Sequence, residues 1–307
     1  MPTRGFAWFI VLLFVAMVGW QLARAYLEPL QSAPRLKVAL EEAVKDDQTH
    51  WTLYHNGRRI GTSRSKVRVD QGSGYVLQQS LRLDGDLTEF LNLKVLKALF
   101  RLEHDFELTL QLETTMRVTY LGSLISMDAR AGIKLTADSA NPEISCSVMA
   151  NADDGFLRLA GSVNVLGHKM RLPDDYRIRY DSKNLIFGSL NPADVMPGLV
   201  PGQQWDAPVI DLSSLIAAPS NMTSSTLDLP DRKPIRVRVK EEMQALDWHG
   251  SFVACHVVEC KQRGLLIQLW VRAGDGRVLK QTARWGESTV IEIVRDLPKP
   301  RAGVEVP

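Results

Sequence analysis

Residues 105–120 read D-F-E-L-T-L-Q-L-E-T-T-M-R-V-T-Y. Phe106, Leu108, Leu110 and Leu112 occupy even positions, and Met116, Val118 and Tyr120 continue the series, while the odd positions are all polar. Apolar side chains recurring at every second residue describe a β-strand with one dry and one wet face. One wet face favours an antiparallel sheet over a parallel one. Sixteen residues at about 3.3 Å each would span roughly 50 Å, against a usual strand of about 5–6 residues. A strand of that length has to twist and curl, so the expected fold is mainly β: a strongly curved antiparallel sheet.

The first residues carry a different signal. Residues 5–20 hold no charge, and residues 21–23 extend the run to nineteen, with Arg4 and the amino terminus on its flank. A membrane-spanning helix needs about 17–25 such residues and a signal-peptide core about 7–15. The run is rich in Phe, Leu and Val, which favours a retained transmembrane anchor. Ala23-Arg24-Ala25 also fits a small-x-small cleavage pattern, so a signal helix removed after Ala25 is the alternative. Either way the positive end stays in the cytoplasm and the remainder is exported, as a membrane-anchored extracytoplasmic (periplasmic) domain or, after cleavage, a secreted one.

Between this segment and the sheet, Leu36, Ala39, Leu40, Ala43 and Val44 recur at helical spacing. They predict a short amphipathic stalk helix within 26–50. The β domain then covers 51–295. Asn56-Gly57 is a hairpin signal, and Tyr75, Leu77, Leu81 and Leu83 share one face of the third strand of an opening meander. Residues 88–101, with Phe90, Leu91, Leu93, Val95, Leu96, Leu99 and Phe100, suit a helix that is apolar on most sides and needs cover. A proline-rich crossover is expected at 184–234, with little regular structure. Alternation resumes at Ile235, Val237 and Val239 and continues through four strands at 251–260, 265–272, 278–285 and 288–295. Eleven to thirteen strands are expected in all, and residues 296–307 read as a disordered tail.

Little in the chain suggests chemistry. His249, Cys255, His256, Glu259 and Cys260 form the one group of potential ligands, but their spacing matches no zinc site, and alternation splits them between two faces. No nucleophile elbow, phosphate loop or dinucleotide fingerprint occurs. The expectation is therefore no enzyme activity, no catalytic residue, no metal and no cofactor. Cys255 and Cys260 are too unfavourably placed to bridge, whereas Cys146 pairing with one of them and three free thiols are equally open. Lys plus Arg is 37 and Asp plus Glu 35, a net charge of +2. Arg64, Lys66 and Arg68, and Arg236, Arg238 and Lys240, line strand faces without interleaved aromatics. They fit a solvated outer face better than a nucleic-acid platform, and no nucleic-acid partner is expected. Anionic lipid headgroups are the other reading of such faces.

Residues 51–61, WTLYHNGRRIG, resemble the opening of uncharacterised exported bacterial domains in which an Asn-Gly hairpin starts a curved sheet. Trp248-His249-Gly250, Leu269-Trp270-Val271-Arg272, the run from Asp275 to Gln281, and Pro197, Pro201 and Trp205 resemble later elements of the same domains. Those domains are similar to the half-barrel of periplasmic lipoprotein carriers, whose concave face holds acyl chains. The resemblance implies a half-barrel-like sheet and offers no catalytic residue to carry over. On it, Tyr75, Leu77, Leu81, Phe90, Leu96, Phe106, Leu108, Leu110 and Leu112 would line a concave site for a lipid or another hydrophobic ligand, with residues 88–101 as its lid. The alternative is a structural or scaffold module of an envelope complex, with other envelope proteins as partners and the curved face plugged by its own chain.

Overall fold

The structure is a computed structural model. It describes residues 34, 36–46, 48–70, 72, 74–85, 107–121, 123–136, 143–165, 167–172, 177–179, 194–207, 235–262, 265–285 and 289–298. The expected anchor at 1–25, the apolar segment at 88–101 with Phe90 and Leu96, Phe106, and residues 299–307 of the tail lie outside them. Among the described residues, no helix is long and apolar enough to cross a membrane.

One helix, α1 (Leu36–Val44), precedes sixteen strands: β1 (Thr49–His55), β2 (Arg58–Asp70), β3 (Gly74–Gly85), β4 (Glu107–Val118), β5 (Leu124–Thr136), β6 (Glu143–Asp153), β7 (Phe156–Val165), β8 (His168–Arg171), β9 (Arg177–Arg179), β10 (Gln204–Ala207), β11 (Ile235–Val239), β12 (Gln244–Trp248), β13 (Ser251–Gln262), β14 (Leu265–Arg272), β15 (Val278–Trp285) and β16 (Thr289–Arg295). All belong to one sheet of order β10-β11-β13-β14-β15-β16-β1-β2-β3-β4-β5-β6-β7-β8, with β12 on β13 and β9 on β7. The pairing of β1 with β16 is antiparallel and places the two ends of the β region side by side in the middle of the sheet.

Local chemistry explains the hairpins. Asn56-Gly57, Asp154-Gly155 and His249-Gly250 each place two successive residues at positive φ, the type I′ geometry that matches the twist of the flanking strands. Gly61 has a different task. A Cβ there would lie 2.2 Å from the Arg82 carbonyl oxygen, so β2 and β3 can approach this closely only with glycine at that position.

Four short strands, β8, β9, β10 and β12, add to those the periodicity predicts. Each has three to five residues, too few to set up an alternation. The crossover is corrected in part: within 184–234, β10 pairs with β11 at a sheet edge, and Val195 bridges to Arg277. The long strand is corrected at its end. Thr119 N–H donates to the Ser123 carbonyl at 2.8 Å, closing a turn after Val118. Tyr120 therefore sits in that turn, 45% exposed, and its parity with Val118 does not carry it onto the buried face. Its ring meets that of Tyr75 edge-on, 5.7 Å between centroids.

One face of the sheet carries the two large core clusters, and we call it the covered face; Cys255 and Val257 of β13 are buried on the other. The core falls into two clusters. One gathers Trp51, Leu53, Leu81, Leu83, Leu108, Leu110 and Ile133 with residues of β11 and β13–β16. The other gathers Val67, Tyr75, Val118, Leu124, Met127 and Val148 with residues of β7. α1 is seated on the second cluster through Leu40 and Ala43. Segment 194–196 touches both: Val195 belongs to the second and Met196 to the first.

Candidate functional site

The residues expected to line one apolar surface are divided. Leu81, Leu108 and Leu110 are buried in the first cluster, with Leu112 packed against it and only partly buried. Tyr75 is buried in the second, with Leu77 partly buried beside it. Phe90, Leu96 and Phe106 lie outside the described residues. The division has a cause in the register. Ser65 faces Gln79, Gln79 faces Thr114, and Thr114 faces Ala129. This row puts polar and small side chains where a ligand's alkyl chain would need continuous apolar wall. Thr114 is 4% exposed, and its Oγ1 has no hydrogen-bond partner.

Where segment 194–196 crosses the sheet, a buried ionic cluster forms. Met196 N–H donates to the Gly276 carbonyl at 2.7 Å and Val278 N–H to the Asp194 carbonyl at 3.1 Å, fastening the segment to the start of β15. Gly276 allows this approach, since a Cβ would lie 2.7 Å from Pro197 Cα. Arg295, at the inward-facing end of β16 and 7% exposed, donates to the Asp46 carboxylate at 2.8 Å, to the Asp194 carbonyl at 2.9 Å and to Thr49 Oγ1 at 3.2 Å. Its guanidinium stands over the Trp51 ring, 5.6 Å from the centroid, within cation–π range. Arg277 donates to the other Asp46 oxygen at 2.7 Å. Arg295 thus joins the residues just after α1, segment 194–196 and the central strands.

Asp194 is the exception in this cluster. As a whole the residue is half-buried, and its carboxylate is the enclosed part. Ser65 Oγ donates to it at 2.5 Å. Burial pushes the carboxyl above the usual range, while Ser65 and the nearby Arg295 charge pull it back down. The Trp51 indole N–H is close enough to join that pull, yet has no partner within normal hydrogen-bonding geometry. The arrangement sets two carboxyl groups, Asp46 and Asp194, against two guanidiniums, Arg277 and Arg295. Its cations face carboxylates and carbonyls, and the Ser65 hydroxyl is held on the Asp194 carboxylate.

On the opposite face, a cavity of about 360 Å³ is lined by Tyr54, Leu246, Trp248, His249, Lys280 and Glu292, among others. Trp248 Nε1 donates to the Arg295 carbonyl, and His249 Nε2 lies 3.0 Å from the same oxygen. Lys280 is paired with Glu292 at 2.8 Å and stands over Trp270. Trp248 and His249 therefore close the back of the strand end that carries Arg295.

The remaining candidate ligands stay apart. Cys260 faces Ile267 on the covered side, while Cys255 faces Arg272 on the other. All three cysteines are free, which excludes the pairing of Cys146 left open by the sequence. Burial pushes the Cys255 thiol up to about 11 and the Cys260 thiol up to about 12, so neither is a thiolate nucleophile near neutral pH. Burial lowers the His256 pKa. No group of three or more potential metal ligands occurs among the described residues.

Fold and site together define a mainly β protein on one large antiparallel sheet with a filled face. No protein-family model matches the chain, and no curated protein matches it. Among solved structures it is similar to a crystal structure described as a beta-barrel-like protein of domain of unknown function DUF1849 from Brucella abortus. The identity is 12%, the match covers 81% of this chain and 95% of that one, and the TM-score is 0.38.

Proposed function

We propose that this is a non-enzymatic protein of the cell envelope. Its β domain lies outside the cytoplasm, tethered by the apolar segment at 5–23, and serves as an interaction or scaffold module. The sheet is read as half-barrel-like, akin to the lipoprotein carriers, with its concave face turned into its own core. One observation carries this reading: Val195 and Met196, 4% and 0% exposed, are packed into the clusters of the covered face. A carrier of the same shape needs that space for its ligand.

A second reading, binding of a lipid or other hydrophobic ligand, draws on Leu77, Leu112 and Met116, which remain only partly buried on that face. Mass spectrometry of an organic extract of the purified full chain separates the two. The scaffold reading expects only the lipid that washes away with detergent exchange. It expects the same of a Met196→Ala variant, which shortens the plug. Acyl lipid retained at about one per chain, or stoichiometric uptake of a fluorescent fatty acid by the variant, overturns it in favour of a carrier.

A further inference from the structure

The strand ends and turns at one end of the sheet carry exposed apolar side chains. Val69 is 52% exposed, Tyr120 45%, Leu121 80% and Phe156 43%. β2 and β4 run towards this end and β3 and β5 run away from it, as do β6 and β7 in turn. The strand ends at Asp70 and Gly74, at Val118 and Leu124, and at Asp153 and Phe156 therefore lie at one end of the sheet. Directly behind them, on the opposite face, one cross-strand row is basic. Arg68 and Arg117 flank Val76, and Arg158 faces Arg177. Ser126 and Asn151 complete the row between the two pairs. All four arginines are exposed, and the row holds no acidic residue. The acids nearby are Asp153, which pairs with Arg158, Asp70 and Asp154 at the strand ends, Asp128 one row behind, and, on the covered face, Glu41 of α1 near Tyr75.

We propose that this end of the sheet docks on a lipid bilayer surface bearing anionic headgroups. The proposal rests on the envelope reading above and adds the face that meets the membrane. The spacing fits. Two residues along β7 separate Arg158 from Phe156, roughly 7 Å, and four separate Arg117 from Leu121, at most about 13 Å because the chain turns after Val118. Apolar groups of interfacial proteins sink about 5–10 Å past the headgroups. Arginines at that distance keep their stems along the apolar boundary and their guanidiniums among phosphates, and Tyr120 has the amphipathic ring favoured at such interfaces. Chain connectivity points the same way. α1 lies among Val67, Tyr75, Val118 and Leu124, beside these turns. Twelve residues, 24–35, separate the apolar run from the start of α1. At full extension they reach at most about 40 Å, so the end of the sheet that receives the tether is the end held near the bilayer.

The test uses the full chain reconstituted in vesicles of phosphatidylcholine and phosphatidylglycerol, with a Leu121→Cys substitution carrying an environment-sensitive NBD label in a Cys146→Ser background, which removes the one partly buried native thiol. Leu121 is a turn residue, so labelling leaves the core intact. The expected result is a blue-shifted spectrum and quenching of the emission when the acyl chains are brominated, as for groups sunk to the headgroup/acyl boundary. Neutralising Arg68 and Arg117 (Arg68→Gln, Arg117→Gln) should weaken docking by about fivefold for each residue, returning the label to an aqueous spectrum while the protein stays in the vesicle pellet. Resistance to a carbonate wash reads the tether separately. An aqueous, unquenched label on wash-resistant protein overturns the docking and leaves the envelope reading standing. Protein removed by the wash overturns the tether. A label shielded equally in detergent, with the chain sedimenting as a dimer, assigns these turns to a second copy and also overturns the proposal.

Discussion

Replacing Arg295 by Met keeps the length of the side chain and removes its charge and donors. Removing one partner of a buried pair costs about 3–5 kcal/mol. Here two features reduce that figure. Asp46 retains Arg277 at 2.7 Å, and its side chain is 22% exposed. The Asp194 carbonyl retains the Val278 N–H. The Asp194 carboxylate has no second cation in reserve, since it loses the nearby positive charge and keeps the Ser65 hydroxyl and the neighbouring Trp51 indole. The expected cost at pH 7.5 is about 2–3 kcal/mol, or about 4–12 °C in the melting of a domain of this size.

The pH dependence identifies the cause. The Asp194 carboxyl has a raised folded-state pKa, above the unfolded value of about 3.9. The folded protein therefore holds a proton that the unfolded chain has lost. The stability this contributes is fully present below about pH 3.9 and is lost as pH rises through the folded pKa. Taking Arg295 away raises that folded pKa further, so the cost of Arg295→Met should grow from pH 5 to pH 7.5. Asp194→Asn in the Arg295→Met background should recover a large part of the loss at pH 7.5 and little at pH 5. Thermal unfolding of the full chain in non-ionic detergent, followed by tryptophan fluorescence, measures all of these. A cost that is equal at both pH values, or an absence of recovery with Asp194→Asn, refutes the argument that an enclosed carboxylate depends on Arg295.

Two further outcomes follow from burial. Leu110 is 8% exposed within the first cluster, so Leu110→Asp should cost about 3–5 kcal/mol by burying an unpaired charge; melting within about two degrees of the parent protein would show that face to be wet. Of the three free cysteines, only the partly buried Cys146 should react with Ellman's reagent at pH 8 in the folded protein, and all three after unfolding in urea; rapid native reaction of Cys255 or Cys260 would contradict their thiols being held near 11 and 12.

The parts of this fold that could be read in advance are those whose information is local. Period-two alternation marked β4 and the strands from β13 to β16, and in several cases their bounds are those of the structure, as at Leu265–Arg272 and Val278–Trp285. Asn56-Gly57 announced its hairpin because positive φ at two successive residues is a demand few sequences meet. Alternation carries no record of what lies across a strand. Gln79 and Thr114 keep the parity of their apolar neighbours, and only the register of β3 with β4 reveals that they stand together and divide the core. The described members of the expected lining therefore fall into two clusters.

The ionic cluster was out of reach for a further reason. Its members come from residues 46, 194, 277 and 295, and no spacing relates them until β16 pairs with β1. A trace was nevertheless present. Ile291 and Ile293 predict an apolar residue at position 295, and the chain has Arg295 there instead. An arginine on the inward parity of a core strand would be strongly destabilising without partners, so it implies an acceptor set elsewhere in the chain. Asp46 and the backbone of Asp194 are that set. The same side chain that breaks the apolar pattern of the last strand holds α1's end and segment 194–196 in place, and those two elements decide whether the covered face is a core or a site.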